Sequence, residues 1–539
     1  MLGMTGAQAL VRSLVSEGVD TVFALPGYQL MPVFDAFYEE RSNIEIIHTR
    51  HEQATTFMAD GYAKATGKIG VAMTVPGPGM LFAAAGLGTA FSSSSPVLLI
   101  SGQVPSTVLG KRLGHLHEID EQMDVIRPIT KWANRVKIVD EIPTEVHEAI
   151  RHLTTGRPRP VELEVPPDIM LEKGKVGLME KELYPIEVPD SNKIEKAAEI
   201  LANANNISII VGGGAIISGA SAELIKTADF LQASVITTED AKGVIPENHD
   251  LSAGVHYSGV GYAYELLPES DAVLIVGTRM LLDEYEPFSF SDRQKLIQID
   301  VDSTELGKNY DVAIGILGDA KQSLLKLLDA LKSQVGPRES RGASIISKNK
   351  EFNQKLRAGA EIQSGMVDAV RIALPDDSIV VSGMTNIGYW SHLLYEVRRP
   401  RTYLTPGYFG TLGFAFPTAL GAKVARPDVP VVALCGDGGF MYGAAELSTA
   451  VRYGINVVAV VFNNGAYGAS RWDQQTRFRG RYLGTDLHNP DFVKLAESFG
   501  AVGMKTNPDG LASALSKAVD LTSPVLLEVE TPLMSPPFD

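Results

Sequence analysis

The sequence predicts an α/β protein built from three doubly wound parallel-sheet domains. Apolar, strand-like runs at residues 21–25, 44–48, 69–74 and 96–100 alternate with helical periodicity, and the alternation continues along almost the whole chain. The 539 residues allow three to four domains at roughly 150 residues each. The rhythm falls into three blocks separated by two stretches of different composition. Residues 172–193 are charged and carry Pro185 and Pro189, and residues 332–350 are charged and polar with Gly336, Pro337 and Gly342. The expected domains are therefore 1–180, 190–335 and 350–535.

Composition narrows the function. Hydrophobic residues at 45% and charged residues at 21% are ordinary for a folded globular chain and argue against disorder. The formal charge of −16 repels nucleic acid and anionic membranes, so neither is an expected partner. The single cysteine, Cys435, excludes an intrachain disulfide and a cysteine-based zinc cluster. No apolar run reaches the ~18 residues of a membrane helix. The opening segment, with Arg12 and Glu17 inside a helical pattern, lacks a signal-peptide core. The expected location is the cytoplasm.

In the first block, residues 44–51 read as a strand opening into a helix that continues with Phe57, Met58, Gly61 and Tyr62 on one apolar stripe. Glu52 falls in the first turn of that helix. Taken alone it reads as a dipole-compensating glutamate, worth under ~1 kcal/mol. The stretch from Gly61 to Gly67-Lys68 is not a P-loop, because five residues separate the glycines and no hydroxyl follows the lysine. In the second block the strand 207–211 runs into Gly212-Gly213-Gly214 but lacks the third glycine of a dinucleotide fingerprint.

The third block carries the strongest signal. An apolar strand ends in Gly436-Asp437-Gly438-Gly439, a helix-like segment follows (Met441, Ala445, Leu447, Val451), and a second strand, 455–462, ends in Asn463-Asn464-Gly465. Asp437 and Asn464 thus close two successive strands, where open parallel sheets bind ligands. A carboxylate and an amide oxygen are hard ligands suited to Mg²⁺. The glycines let backbone N–H groups approach phosphate. A tight turn plus a capping asparagine is the structural alternative, but both signals at this spacing after two strands are far more specific than either alone.

This pattern resembles the cofactor motif of thiamine-diphosphate-dependent enzymes. The resemblance continues through Pro26-Gly27, Arg50-His51-Glu52, Asp60-Gly61-Tyr62-Ala63, Pro76-Gly77-Pro78-Gly79 and Gly102-Gln103-Val104-Pro105, and it covers almost the whole chain. It implies pyrimidine-binding, central and diphosphate-binding domains in that order. It implies thiamine diphosphate as cofactor, with Mg²⁺ held by Asp437, Asn464 and the backbone carbonyl of Ala466. Gly27, Pro78, Gly438, Gly439, Tyr467 and Gly468 would contact the cofactor. Met384 and Thr385, in the turn after another strand, would contact its diphosphate. Leu412, beside Gly410, would lie under the bent cofactor at the hinge position. Glu52 would be the catalytic acid on the pyrimidine ring, favouring the tautomer whose imine nitrogen takes the thiazolium proton, and it would work best with a raised pKa. Gln29 and Gln103 are further catalytic candidates beside the substrate.

Similarity is closest to the acetolactate synthase branch, carried by residues 102–105, by Glu118 in Leu-His-Glu-Ile-Asp and by Ile299-Asp300-Val301-Asp302. It implies decarboxylation and carboligation of 2-keto acids, with pyruvate going to acetolactate. Some positions depart from that branch. Leu412 replaces its usual Met and is like benzoylformate decarboxylase. Leu116-His117 stands for Phe-Gln, Asp473 occupies the place of a tryptophan that favours larger second substrates, with Trp472 one residue early, and residues 128–132 resemble benzaldehyde lyase. A benzaldehyde-lyase-like or hydroxyacyl-CoA-lyase-like carboligase, a simple decarboxylase, a flavin-dependent oxidase and a non-catalytic cofactor-binding scaffold therefore stay open. FAD or another nucleotide in the central domain is possible, although Gly277-Thr278-Arg279 is the only signature for it. His115 and His117 read as proton shuttles or as a solvated loop pair. Arg471, Arg477, Arg479 and Arg481 read as a greeting for anionic substrates or as a solvated stretch. Because Glu52 and Asp437 lie in different blocks yet would touch one cofactor, the resemblance implies a homodimer or homotetramer with active sites at the subunit interface.

Overall fold

A computed structural model describes residues 2–281 and 287–538. Met1, which begins the expected first helical stretch, lies outside them. Three six-stranded sheets form three domains, and every strand pair within them is parallel. The first sheet contains Thr21–Ala24, Glu45–His48, Gly70–Thr74, Val97–Gly102, Trp132–Arg135 and Val161–Val165. Numbered along the chain, its spatial order is 2-1-3-4-6-5. The third sheet, Ile379–Ser382, Tyr403–Leu404, Val431–Gly436, Val458–Asn463, Val502–Thr506 and Val525–Glu530, repeats that order. The central sheet, Ile207–Val211, Ser234–Thr237, Ser252–Val255, Ala272–Val276, Lys295–Asp300 and Ile314–Leu317, has the Rossmann order 3-2-1-4-5-6. The expected doubly wound α/β class holds in all three blocks.

Parallel sheets are covered on both faces, which is why their strands read as continuous apolar runs. Val97–Gly102 and Val161–Val165 are buried along their whole lengths. Helix Glu52–Thr66 starts at His51, whose ring accepts the Gln53 N–H, and stops at Gly67 in the left-handed region. It crosses helix Ala415–Ala425 of the third domain at two glycines. A Cβ on Gly61 would lie 2.0 Å from the Thr418 carbonyl oxygen, and one on Gly421 would lie 1.9 Å from that of Met58. Backbones meet there directly, inside one apolar cluster that spans both outer domains and includes Phe57, Met58, Phe414, Phe416 and Phe440.

Three local expectations are corrected. The helix expected after Gly439 is broken into Asp437–Met441, a 3₁₀ turn Ala444–Glu446 and helix Leu447–Tyr453. Gly443 gives little helical support, and Glu446 is drawn to partners in the first domain. The stretch expected to link domains one and two begins as a strand, Lys173–Val176, paired antiparallel with Leu2–Thr5. The second expected linker, 332–350, takes in the end of helix Ala320–Gln334 and the first half of helix Gly342–Arg357, whose buried residues are Gly342 and Ile345, so its exposed surface reads as polar linker. Among the described residues no helix is long and apolar enough to cross a membrane.

Candidate active site

In a sheet of order 2-1-3-4-6-5 the strand order reverses between strands 1 and 3, and the crevice beyond their C-terminal ends is the natural binding site. In the third sheet those ends carry Gly383-Met384-Thr385 and Asp437-Gly438-Gly439, and the neighbouring strand delivers Asn464. These sequence-nominated residues converge. Thr385 Oγ1 is 3.0 Å from the place a Cβ on Gly436 would take, and Met384 Cε is 3.3 Å from the Cβ place of Gly410.

Asp437 is 2% exposed. Its Oδ1 accepts the Gly438 N–H at 2.9 Å, and its Oδ2 accepts the Gly465 N–H at 2.9 Å and the Asn489 side-chain amide at 2.7 Å. Burial pushes its carboxyl up from the usual range, and these donors only partly offset that. Asn464 Oδ1 accepts the Ala466 N–H at 3.1 Å. Asn463 is structural instead: its side chain bridges Asn489 and Glu528. Two glycines are required by packing. A Cβ on Gly438 would lie 2.5 Å from the Tyr467 ring, and one on Gly468 would lie 2.7 Å from Asn464 Nδ2. A Cβ on Gly439 would meet nothing within 4 Å, so that side of the turn is open to a ligand. The carboxylate and amide oxygens form a hard donor pair beside a glycine-lined turn, which fits a divalent cation bound to a diphosphate.

The first sheet presents its own switch point. The turns after Thr21–Ala24 and Gly70–Thr74 touch: a Cβ on Gly27 would lie 2.2 Å from Val75 Cγ1. Gln29 is buried there, its amide donating to the Leu116 carbonyl at 2.9 Å and its Oε1 lying 3.1 Å from His117 Nδ1. His117 is therefore held in place, whereas His115 is exposed. Glu52 is the first residue of its helix, and its Oε1 lies 3.5 Å from the Cβ place of Gly79, beside the exposed Pro78. Gln103 turns inward, donating to Glu164 at 2.8 Å and accepting the Val104 N–H at 2.7 Å. Leu412 is half-buried on a loop that leans on the first domain through Thr411 and Thr89, whose hydroxyls are 2.7 Å apart, and Gln53 Nε2 is 3.1 Å from the Cβ place of Gly413. Of the four arginines, Arg471 pairs with Asp486 and Arg477 with Asp473.

Sequence reasoning missed three groups. Glu446 is buried and accepts the N–H groups of Arg50 and His51 together with the Thr449 hydroxyl. Its signal was a charged residue between Ala445 and Leu447 on an apolar stripe. Asn489, on a loop beyond the motif, gave no signal. Glu162 and Glu164 alternate with Val161, Leu163 and Val165, which reads as a half-exposed strand, yet both are fully buried.

Residues 4–125 match the thiamine pyrophosphate enzyme N-terminal TPP binding domain, residues 194–327 the central domain of the same enzymes and residues 383–529 their C-terminal TPP binding domain. The chain belongs to the thiamine pyrophosphate enzyme family. Within that family it falls in the acetolactate synthase branch. A protein named "Probable acetolactate synthase large subunit" from Methanocaldococcus jannaschii is 35% identical, with 98% of this chain and 92% of that protein aligned. The acetolactate synthase large subunit of Haemophilus influenzae is also 35% identical, over 97% of this chain and 93% of its own length. A third relative, "Probable 2-ketoarginine decarboxylase AruI" of Pseudomonas aeruginosa, is 33% identical over 98% of this chain and 94% of its own length.

Proposed function

We propose that this enzyme uses thiamine diphosphate and Mg²⁺ to decarboxylate a 2-keto acid and join the remaining fragment to a second keto acid, with pyruvate going to acetolactate. One observation carries the reading: buried Asp437, Asn464 and the 383–385 turn share the C-terminal ends of three neighbouring strands at a switch point. When bound, thiamine diphosphate supplies the electron sink for loss of CO₂. Asp437, Asn464 and the Ala466 carbonyl would hold the cation. The diphosphate and water would complete the coordination, as is usual for Mg²⁺. Gly438 and Gly439 would bring backbone to the phosphates, while Met384, Thr385, Gly410, Tyr467 and Gly468 would shape the cradle and Leu412 would support the cofactor. Glu52 would hold a proton toward the pyrimidine ring, and Gly27 and Pro78 would line that end. Gln29, steadied by His117, orients the substrate carbonyl, and Gln103 supports it from the buried side.

Large apolar side chains flank both switch points. Tyr28, Leu113 and Leu116 are exposed around the first, and Tyr442, Tyr482 and Leu483 around the third. They support burial of these faces between two copies of the chain, as a homodimer or a pair of dimers, with Glu52 of one copy serving the metal site of the other. A cavity of about 1000 Å³ at the central switch point, lined by Gly213, Gly277 and Asp300, supports a nucleotide such as FAD there.

A simple decarboxylase is the second reading. It is favoured by Asp473 and Trp472, which line the same cavity and depart from the branch's pattern. Purified protein with thiamine diphosphate, Mg²⁺ and a panel of 2-keto acids separates them. Acetolactate from pyruvate supports the main reading; CO₂ and aldehyde without a carbon–carbon product support the second. Failure to bind thiamine diphosphate or to turn over any 2-keto acid or 2-hydroxy ketone overturns both.

A further inference from the structure

Behind the first switch point lies a buried polar network for which the reaction has no direct use. Gln122 is 1% exposed, and its Oε1 accepts the Gly77 N–H at 2.8 Å. That bond fixes the direction of the amide, so Nε2 faces Glu164 Oε1 at 2.7 Å, Ser101 Oγ at 3.0 Å and the Gly102 carbonyl at 3.1 Å. Glu164 in turn takes the Gln103 amide and an ion pair from Arg135, while Ser101 bonds to Glu162. Two glutamates in the middle of a buried parallel strand are costly unless satisfied, and here the outlet of the network is the backbone of one turn.

That turn is unusual. Gly77 adopts φ 56° and ψ −110°, and a Cβ there would lie 2.3 Å from the His117 carbonyl oxygen. Two residues on, the Cβ place of Gly79 lies 3.5 Å from Glu52 Oε1. The turn has no regular backbone partner for the Gly77 N–H; the Gln122 side chain supplies it.

We propose that Gln122, anchored by Glu164, is a positioning residue that sets the Gly77–Pro78–Gly79 turn against the Glu52 carboxylate. The inference rests on the reading of Glu52 as the acid on the cofactor. Gln122 lies buried behind the turn and acts by keeping one wall of the acid's pocket in place, where small displacements are expensive for the reaction.

The test compares Gln122→Leu and Gln122→Glu in the full-length protein. In the cofactor-free Leu variant, amide hydrogen exchange at Gly77 should be faster than in the unaltered protein. Calorimetry should find thiamine diphosphate with Mg²⁺ bound within about threefold of normal, while kcat falls about tenfold or more at nearly unchanged KM. The Glu variant reports through pH. Protonated, its carboxyl offers an O–H to Glu164 and a C=O to Gly77, as the amide does, so kcat should recover at low pH and fall as pH rises. Unchanged kcat in the Leu variant, or a Glu variant impaired equally at all pH values, overturns the proposal. If the Leu variant fails to fold, the pH profile of the Glu variant decides alone. If the unaltered protein binds no thiamine diphosphate, the reading beneath is overturned and the role towards Glu52 with it; Gly77 exchange still reports separately on the tie.

Discussion

Glu446 Oε1 lies 3.0 Å from the backbone N–H of His51, so a carboxylate of the third domain holds the turn that launches Glu52. Its two oxygens also take the Arg50 N–H at 3.0 and 3.1 Å, and the Thr449 hydroxyl completes the set. Burial pushes the Glu446 carboxyl up, and these donors oppose that. The outer domains are thus coupled by hydrogen bonds as well as by the apolar cluster. Glu446→Gln places an N–H₂ where an acceptor is needed. It should cost about 1–3 kcal/mol in urea unfolding, the usual result of leaving a buried donor unmet, and lower kcat more than it weakens thiamine diphosphate binding. Full stability and activity in the variant would remove Glu446 from this role.

The glycine crossing between helices Glu52–Thr66 and Ala415–Ala425 makes a separate prediction. Backbone sits where a Cβ on Gly61 or Gly421 would go, so neither position can relax by moving a flexible side chain. Gly61→Ala should gain intrinsic helix propensity of about 1 kcal/mol yet lose more through overpacking. The net effect should be a lower thermal midpoint, with looser association of the outer domains seen as faster hydrogen exchange along both helices. A higher midpoint would show that the helices separate easily.

The connection between the first two domains should carry a pH signature. His147 is buried, with Nδ1 2.6 Å from Glu17 Oε1 and Nε2 2.8 Å from the Tyr184 hydroxyl on the connecting stretch. Burial pulls its pKa down, but the hydrogen bond and charge of Glu17, with a smaller share from Glu182, outweigh that and raise it above the ordinary 6.5. A histidine whose pKa is higher folded than unfolded contributes stability that is fully present below about 6.5 and disappears as pH rises through the raised folded value. Denaturant midpoints should therefore fall from pH 6 towards alkaline pH, and His147→Gln should flatten that slope. An identical slope in the variant would place the pH dependence elsewhere.

The fold was legible because parallel sheets write themselves as apolar runs, and the convergence of Asp437, Asn464 and the 383–385 turn was legible because glycine, aspartate and asparagine after strands have few other uses together. What escaped was whatever acts through three-dimensional neighbours. The partner of Glu446 is a backbone N–H almost four hundred residues away, and backbone donors leave no trace in composition. Glu162 and Glu164 alternate with apolar residues as they would on a solvated face; their partners Ser101, Gln103, Gln122 and Arg135 are brought in from other elements. Residues 332–350 read as a linker because the helix Gly342–Arg357 that takes up their second half is mostly solvent-facing.

Asn489 supports the carboxylate proposed to hold the cation. Its amide donates to Asp437 Oδ2 at 2.7 Å and to Asn463 Oδ1 at 2.9 Å, so it orients the carboxylate. Burial raises Asp437, and a bound divalent cation would reverse that by favouring the ionised form. Removing Mg²⁺ with a chelator should therefore release thiamine diphosphate, and Asp437→Asn should raise the Mg²⁺ needed for half-saturation of cofactor binding by about a hundredfold, as expected for losing a ligand's charge. Asn489→Ala should raise it by about tenfold, within the range seen when a metal ligand's orienting partner is lost. Restoring saturation with excess Mg²⁺ in the Asn489 variant but not in the Asp437 variant would establish the order of the two roles. Equal losses, or cofactor binding indifferent to Mg²⁺ in the unaltered protein, would show that the 437–464 pair does not hold the cation.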